Sequence, residues 1–237
     1  MSDDDGDLDA LVRRVDPDRW LASRFVADAE ARADLVALYA FNYELSRAPG
    51  VASQPLIGEM RLAWWREALD EIFEGRPVRR HPVVLALAEA IRRRGVGRAG
   101  LEALVDGRLR ELEPWPLGEE DEVHDYLDAT AACLMTVAAG MLAPDAPVDL
   151  RPAGRAWGLA GLHRLGGRLP TAWGAEEVRA RVEAALAAAN RRLRGLPVAA
   201  FPAAAYAALA RPYAAGRTSS ELARRLRVTW AVLRGRL

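Results

Sequence analysis

Apolar residues return every three or four positions along most of the chain, and no stretch alternates residue by residue. That period predicts amphipathic helices and no strands. A long helix is expected from about Asp28 to Arg47, with Leu35, Leu38, Tyr39, Asn42 and Leu45 on one face and Pro49-Gly50 stopping it. The next begins near Ser53, takes Pro55 into its first turn and ends at Gly75; Leu62, Trp65, Leu69, Ile72 and Phe73 form its apolar stripe. His81-Pro82 opens a third, closed by Gly95. Arg98 to Glu113 makes a fourth, before the breaker Pro114-Trp115-Pro116. A helix with an acidic first turn, suited to the positive end of the helix dipole, should run unbroken from Glu119 to Leu142. Helices over Pro152–Leu165, Glu176–Arg194, Pro202–Ala215 and Ser219–Arg236 complete the pattern.

The expected architecture is therefore all-α: one helical bundle domain over residues 16–237, with no internal repeat. Residues 1–15 carry Asp3, Asp4, Asp5, Asp7 and Asp9 and read as a solvated, disordered acidic arm. Asp16-Pro17 then supplies a cap and a first-turn proline. Residues 218–237 read as a basic amphipathic helix. Leu222, Leu226, Trp230, Leu233 and Leu237 share one face, and Arg224, Arg225, Arg227, Arg234 and Arg236 hold the flanks and back. Such a helix suits a membrane interface or a partner groove. The reading favours an apolar face that completes the core.

Composition narrows the picture. Of 237 residues 51% are hydrophobic, enough to build a core, and the formal net charge is zero. Neither number suits a surface devoted to nucleic acid, and the Arg-rich tail has only Trp230 for base stacking. Every basic residue except the three histidines is arginine, which lowers the weight of any single Arg cluster. The lone cysteine, Cys133, excludes an internal disulfide and points to a reducing, cytoplasmic setting. No apolar run is long enough to span a bilayer, and the acidic start is unlike a secretory signal.

Candidate chemistry is sparse. His81, His124 and His163 lack metal-ligand spacing, and Cys133 lies in an apolar run as a core thiol. Two acidic rows have helical spacing: Asp121, Asp125 and Asp128, and Glu67, Asp70, Glu71 and Glu74. Either has the oxygen ligands Mg²⁺ prefers, yet helix-dipole compensation and a solvated face explain both more simply.

Several segments together resemble the squalene/phytoene synthase family. They are Ser23–Phe25, Leu35–Phe41 (LVALYAF), Leu62–Leu69 (LAWWREAL), Gly75–Pro77, His81–Val83, Gly107–Glu113 and Tyr126 with the small-residue helix after it. The resemblance runs in order from about Asp16 to Leu142 and fades beyond Trp157–Pro170. It implies the all-helical isoprenoid synthase fold and head-to-head joining of two prenyl diphosphates, with Mg²⁺ held by two aspartate-rich motifs on facing helices. Divalent metal neutralises the departing pyrophosphate, and it needs carboxylates a helical turn apart.

The chain departs from that pattern where the metal should bind. After "ALYAF" stand Asn42, Tyr43, Glu44, Leu45, Ser46, Arg47, Ala48, Pro49 and Gly50, with Ser46 and Gly50 aligned to the two expected aspartates. The second motif should follow Leu159–Arg164, but no acidic residue occurs from Leu159 to Ala175. Glu111 is a single carboxylate. Tyr39, Tyr43, Arg61, Trp64, Trp65, Glu111 and Arg164 are the candidate pocket residues, with Arg47 placed to attract a phosphate or carboxylate.

The resemblance thus points to the family's non-catalytic branch, which includes an assembly factor of the respiratory NADH dehydrogenase complex. It implies no catalytic residue, no metal and no cofactor. A protein partner or membrane surface, an isoprenoid-like ligand and a cytoplasmic place at the inner face of a membrane are the expectations that follow. The rival is a Mg²⁺-dependent prenyltransferase with displaced ligands, drawn from the acidic rows.

Overall fold

Helices make up all the regular structure in the computed structural model, which describes residues 7–50, 55–145 and 148–237. Contacts cluster into two units, one through Glu113 and one from Pro114.

The first unit begins with α1 (Leu8–Val15) and α2 (Pro17–Ser23). The acidic arm expected over residues 1–15 is thus helical from Leu8 onward, and the part before Asp7 lies outside the described residues. Two of its carboxylates have structural work. Asp7 caps α1 by accepting from the N–H groups of Asp9 and Ala10. Asp9 accepts from Trp20 Nε1 at 2.9 Å and Arg24 Nη2 at 2.6 Å, and Val12 is fully buried. Asp16 caps α2 as its sequence suggested.

The central element is α3 (Ala29–Gly50), started by Asp28, whose carboxylate accepts from Ala31 N at 2.6 Å. Leu35 to Phe41 are buried without interruption, as befits a helix surrounded by others. Pro49 does not stop α3 but sits in its last turn, where a proline forfeits only one ladder bond. Packed on α3 are α4 (Pro55–Phe73) and α5 (Pro82–Arg94). α5 has Pro82 at its start and Gly95 (φ 63°) at its end, the left-handed cap that only glycine adopts freely. The expected fourth helix is shorter: α6 (Arg98–Asp106) is followed by a separate 3₁₀ turn, Leu109–Leu112. Ser53 lies outside the described residues.

A buried ion cluster ties α3 to α5. Asp34 is 1% exposed, and its carboxylate accepts from Arg93 Nε at 3.1 Å and Arg94 Nε at 2.7 Å.

The second unit starts with α7 (Glu120–Leu127) and α8 (Cys133–Leu142), and the expected single helix is interrupted between them by a π-helical segment, Asp128–Ala132. Against that segment lies α9 (Arg151–Leu165), followed by α10 (Ala175–Arg192). The contact is close: a Cβ on Gly154 would stand 2.3 Å from Ala132 Cα and 2.7 Å from Ala132 N. On the next turn a Cβ on Gly158 would stand 2.4 Å from Leu127 Cδ2. The helix expected over Pro202–Ala215 divides into α11 (Pro202–Ala205), a 3₁₀ turn and α12 (Ala210–Ala214). Ala203, Ala204, Ala205, Ala207 and Ala210 are wholly buried around Tyr206, whose ring meets Trp157 edge-on at 5.0 Å.

The last helix, α13 (Glu221–Arg234), departs from its expected packing. Val228 and Ala231 are buried, whereas Leu222, Leu226, Trp230 and Leu233 are 56–73% exposed. The apolar stripe expected to complete the core faces outward, because smaller residues on another side of the helix make its contacts. Leu237 lies beyond the helix, where the Asn190 side chain accepts from its N–H and donates to its carbonyl. No described helix is long and apolar enough to cross a membrane.

Candidate functional site

In the first unit, the C-terminal half of α3, the middle of α4 and the start of α5 enclose a depression of about 310 Å³. Glu44, Arg47 and Ala48 contribute from α3, Arg61, Trp64 and Trp65 from α4, and His81 from the residue before α5. Four of the candidate residues named from sequence, Arg47, Arg61, Trp64 and Trp65, therefore come together with Glu44. Trp64, Trp65 and His81 form an aromatic wall with mutual ring distances of 5.0–5.5 Å. Trp65 also meets Phe41 edge-on at 5.4 Å and is 5% exposed, so it serves the core as well as the wall. Tyr39 is fully buried. Tyr43 stands beneath the Arg47 guanidinium, 5.4 Å away.

His81 was legible in the sequence as a helix-start residue and not as part of this wall. Its Nδ1 is buried with no hydrogen-bond partner among the described residues, and burial pushes its pKa below 6.5, against a smaller upward pull from Glu44. The folded state therefore favours neutral His81, while the unfolded chain protonates it near pH 6.5. Between those two pKa values the unfolded state binds more protons, so this contribution is complete above pH 6.5 and shrinks as pH falls below it. Thermal unfolding midpoints between pH 7.5 and 5 should fall more steeply for the natural chain than for His81→Gln. Parallel curves would contradict this.

The degenerate first-motif positions lie on α3, and their partners are within the protein. Ser46 donates to the Tyr43 carbonyl at 2.7 Å, and Glu44 accepts from Arg47 at 3.1 Å. Asn42 accepts from Arg108 Nη2 at 2.8 Å, and the same guanidinium pairs with Glu111. Asn42 and Glu111 thus meet through an arginine that sequence reasoning did not single out. Gly50 is the last residue of α3.

The row Glu67, Asp70, Glu71 and Glu74, and Asp128 of the second row, are committed to arginines in the same way. Glu71 accepts from Arg79 Nη2 at 2.6 Å and from Arg79 N at 3.0 Å, which holds its carboxyl below the usual range. Arg79 also reaches Glu67 at 3.4 Å and lies over Trp64 at 4.5 Å. Asp70 pairs with Arg98, and Glu74 with Arg76. In the second unit Asp128 forms a two-pronged pair with Arg155, at 2.7 and 2.6 Å, leaving Asp121 and Asp125 exposed on α7. Mg²⁺ takes oxygen ligands in near-octahedral order. This donor set does not fit it: no cluster of three or more His, Cys, Asp or Glu side chains suited to a metal occurs among the described residues. Arg79 carried no signal in the sequence, since it follows Glu71 across a turn and belongs to no helical face.

Arg164 belongs to the second unit, where its guanidinium lies over Tyr213 at 4.2 Å. The chain leaves α9 there through Gly166 (φ 68°) and Gly167 (φ 60°), and Leu117 N donates to the Arg168 carbonyl at 3.0 Å. Cys133 is half-buried, with its thiol pushed up to about 11 by burial, which favours the protonated thiol at neutral pH.

Comparison with known proteins agrees with this architecture. The squalene/phytoene synthase family pattern matches residues 12–164. NADH dehydrogenase (ubiquinone) complex I, assembly factor 6, from Bos taurus and from Homo sapiens, is 30% identical over 125 residues, covering 53% of this chain. Only 37% of each relative is covered, so the chain matches little more than a third of their length. Among solved structures, a dehydrosqualene synthase superposes with a TM-score of 0.78 at 14% identity, over 96% of this chain and 94% of that one. A squalene synthase from Alicyclobacillus acidocaldarius superposes with a TM-score of 0.66 at 16% identity, over 96% and 92%. At such identities the likeness concerns the fold alone.

Proposed function

We propose that this chain, which belongs to the squalene/phytoene synthase family, uses the family's helical scaffold to hold a protein partner and does not join prenyl diphosphates. The observation that carries this reading is the fate of the carboxylates. Ser46 and Gly50 stand where the first metal motif is expected, and the acidic row of α4 is bound by arginines of its own unit. Two diphosphates entering such a site would find no metal to neutralise the departing pyrophosphate. The names carried by its relatives add the class of partner: subunits of an NADH dehydrogenase complex under assembly. The chain is then cytoplasmic and works at the inner face of a membrane.

The depression keeps a use in this reading. Trp64 and His81 offer an apolar wall to an isoprenoid-like chain, with Arg47 and Arg61 at its edge for a phosphate or carboxylate head.

The direct test is pyrophosphate release. The folded, purified chain is given farnesyl or geranylgeranyl diphosphate with Mg²⁺ or Mn²⁺, with and without NADPH, beside an active family member. No release above background is expected. Turnover comparable to the control would overturn the reading, and loss of that turnover in a folded Asp121→Ala, Asp125→Ala variant would locate displaced ligands on α7.

A further inference from the structure

α13 has two apolar sides, and among the described residues only one of them is packed against the protein. Val228 and Ala231 face inward, while Leu222 (67%), Leu226 (62%), Trp230 (56%) and Leu233 (73%) are exposed. At 3.6 residues per turn these four fall within an arc of roughly 80° on the outer side. Arg225 borders one edge of that arc, and Arg227 and Arg234 border the other; all three are exposed, and Arg234 lies over the Trp230 ring at 4.1 Å. Residues 218–237 hold five arginines and one glutamate, within a chain whose formal charge is zero.

We infer that α13 docks flat on an anionic lipid surface, with Leu222, Leu226, Trp230 and Leu233 entering the acyl boundary and the bordering arginines meeting headgroup phosphates. An arc of large apolar side chains with cations on both edges matches the layering of a bilayer interface, where an apolar region lies just beneath a negative one. Trp, with an apolar body and one N–H, is suited to that boundary. A second copy fits worse. Pairing two such stripes would set arginine edge against arginine edge. A single stripe of four side chains also falls short of the ~800 Å² per partner of a stable protein interface. The inference adds an element and a lipid class to the membrane location proposed above, on which it rests only for context; it would stand even if prenyl transfer survived.

The test uses the full chain and two variants, one carrying Leu226→Ser and Leu233→Ser, the other Arg225→Gln, Arg227→Gln and Arg234→Gln. Each is first shown to keep the parent's helicity and melting temperature, as exposed positions should. Cosedimentation is measured with phosphatidylcholine vesicles and with vesicles that also contain phosphatidylglycerol, at low and high salt. The natural chain should partition at least about tenfold better onto the anionic vesicles, and salt should weaken it. Both variants should lose roughly tenfold or more. Failure of the natural chain to bind, equal binding to neutral vesicles, or undiminished binding by either folded variant would overturn the inference. So would self-association, seen by sedimentation velocity without lipid, that the leucine variant abolishes. Pyrophosphate release is a separate readout, so failure here leaves the non-catalytic reading to its own test.

Discussion

Gly154→Ala should destabilise the protein by at least about 3 kcal/mol, lowering the melting temperature by roughly 6–12 °C. The sign is informative, because glycine to alanine inside a helix ordinarily gains about 0.5–1 kcal/mol. Here the added methyl would stand 2.3 Å from Ala132 Cα and 2.6 Å from Ala132 Cβ. The obstacle is backbone, which no rotamer change relieves, so α9 would have to retreat from the π-helical segment and open the packing behind it. Gly161→Ala in the same helix is the control, since a Cβ there meets nothing within 4 Å. Its expected effect is neutral or stabilising by up to about 1 kcal/mol. Thermal unfolding followed by helical circular dichroism separates the two, and equal effects would refute the close-approach argument.

Asp34→Ala is the second large effect, expected to cost about 3 kcal/mol. The carboxylate is 1% exposed and is the closest anion to Arg93 and Arg94, so its removal leaves the two guanidinium groups only longer pairs with the more exposed Glu30, Glu89 and Asp28. Those groups are 27% and 22% exposed and regain some water, which puts the cost at the low end for a broken buried pair. Asp34→Asn should recover little, because it restores shape and not charge. Arg93→Ala and Arg94→Ala should each cost less than Asp34→Ala, since the carboxylate keeps one partner. Denaturant unfolding of the four variants gives the order, and an arginine change costing more than Asp34→Ala would contradict it.

These two sites differ in how they announce themselves. Helix starts and stops were largely legible, because Asp16-Pro17, His81-Pro82 and Gly95 act locally through caps and fixed backbone angles. The acidic arm misled because charge predicts solvation, and a capping Asp7 or a tethered Asp9 is visible only once its donors are in place. α13 misled for the opposite reason: an apolar stripe normally turns inward, and nothing in its period reveals that Val228 and Ala231 make the contact instead. Of the candidate site, Trp64, Trp65, Arg47 and Arg61 could be read from the family resemblance. Arg79 and Arg108 could not, since an arginine that donates to a carboxylate eight positions away, or to an amide oxygen sixty-six positions away, leaves no local pattern.

The widened turn at Asp128–Ala132 bears on how this stretch can be aligned and redesigned. A π-helical turn holds one residue more than an α-turn, so each side chain after it is rotated by about 100° from where a continuous helix would put it. Deleting one residue here would let the backbone relax into an ordinary α-helix, with little local protest. It would also swing Leu134, Met135 and Ala138, now buried, away from their present direction. Residue number between Leu127 and Cys133 therefore acts as a setting of rotational phase, and an alignment that slides a gap through this segment changes the predicted core of α8 even when every substitution in it looks conservative.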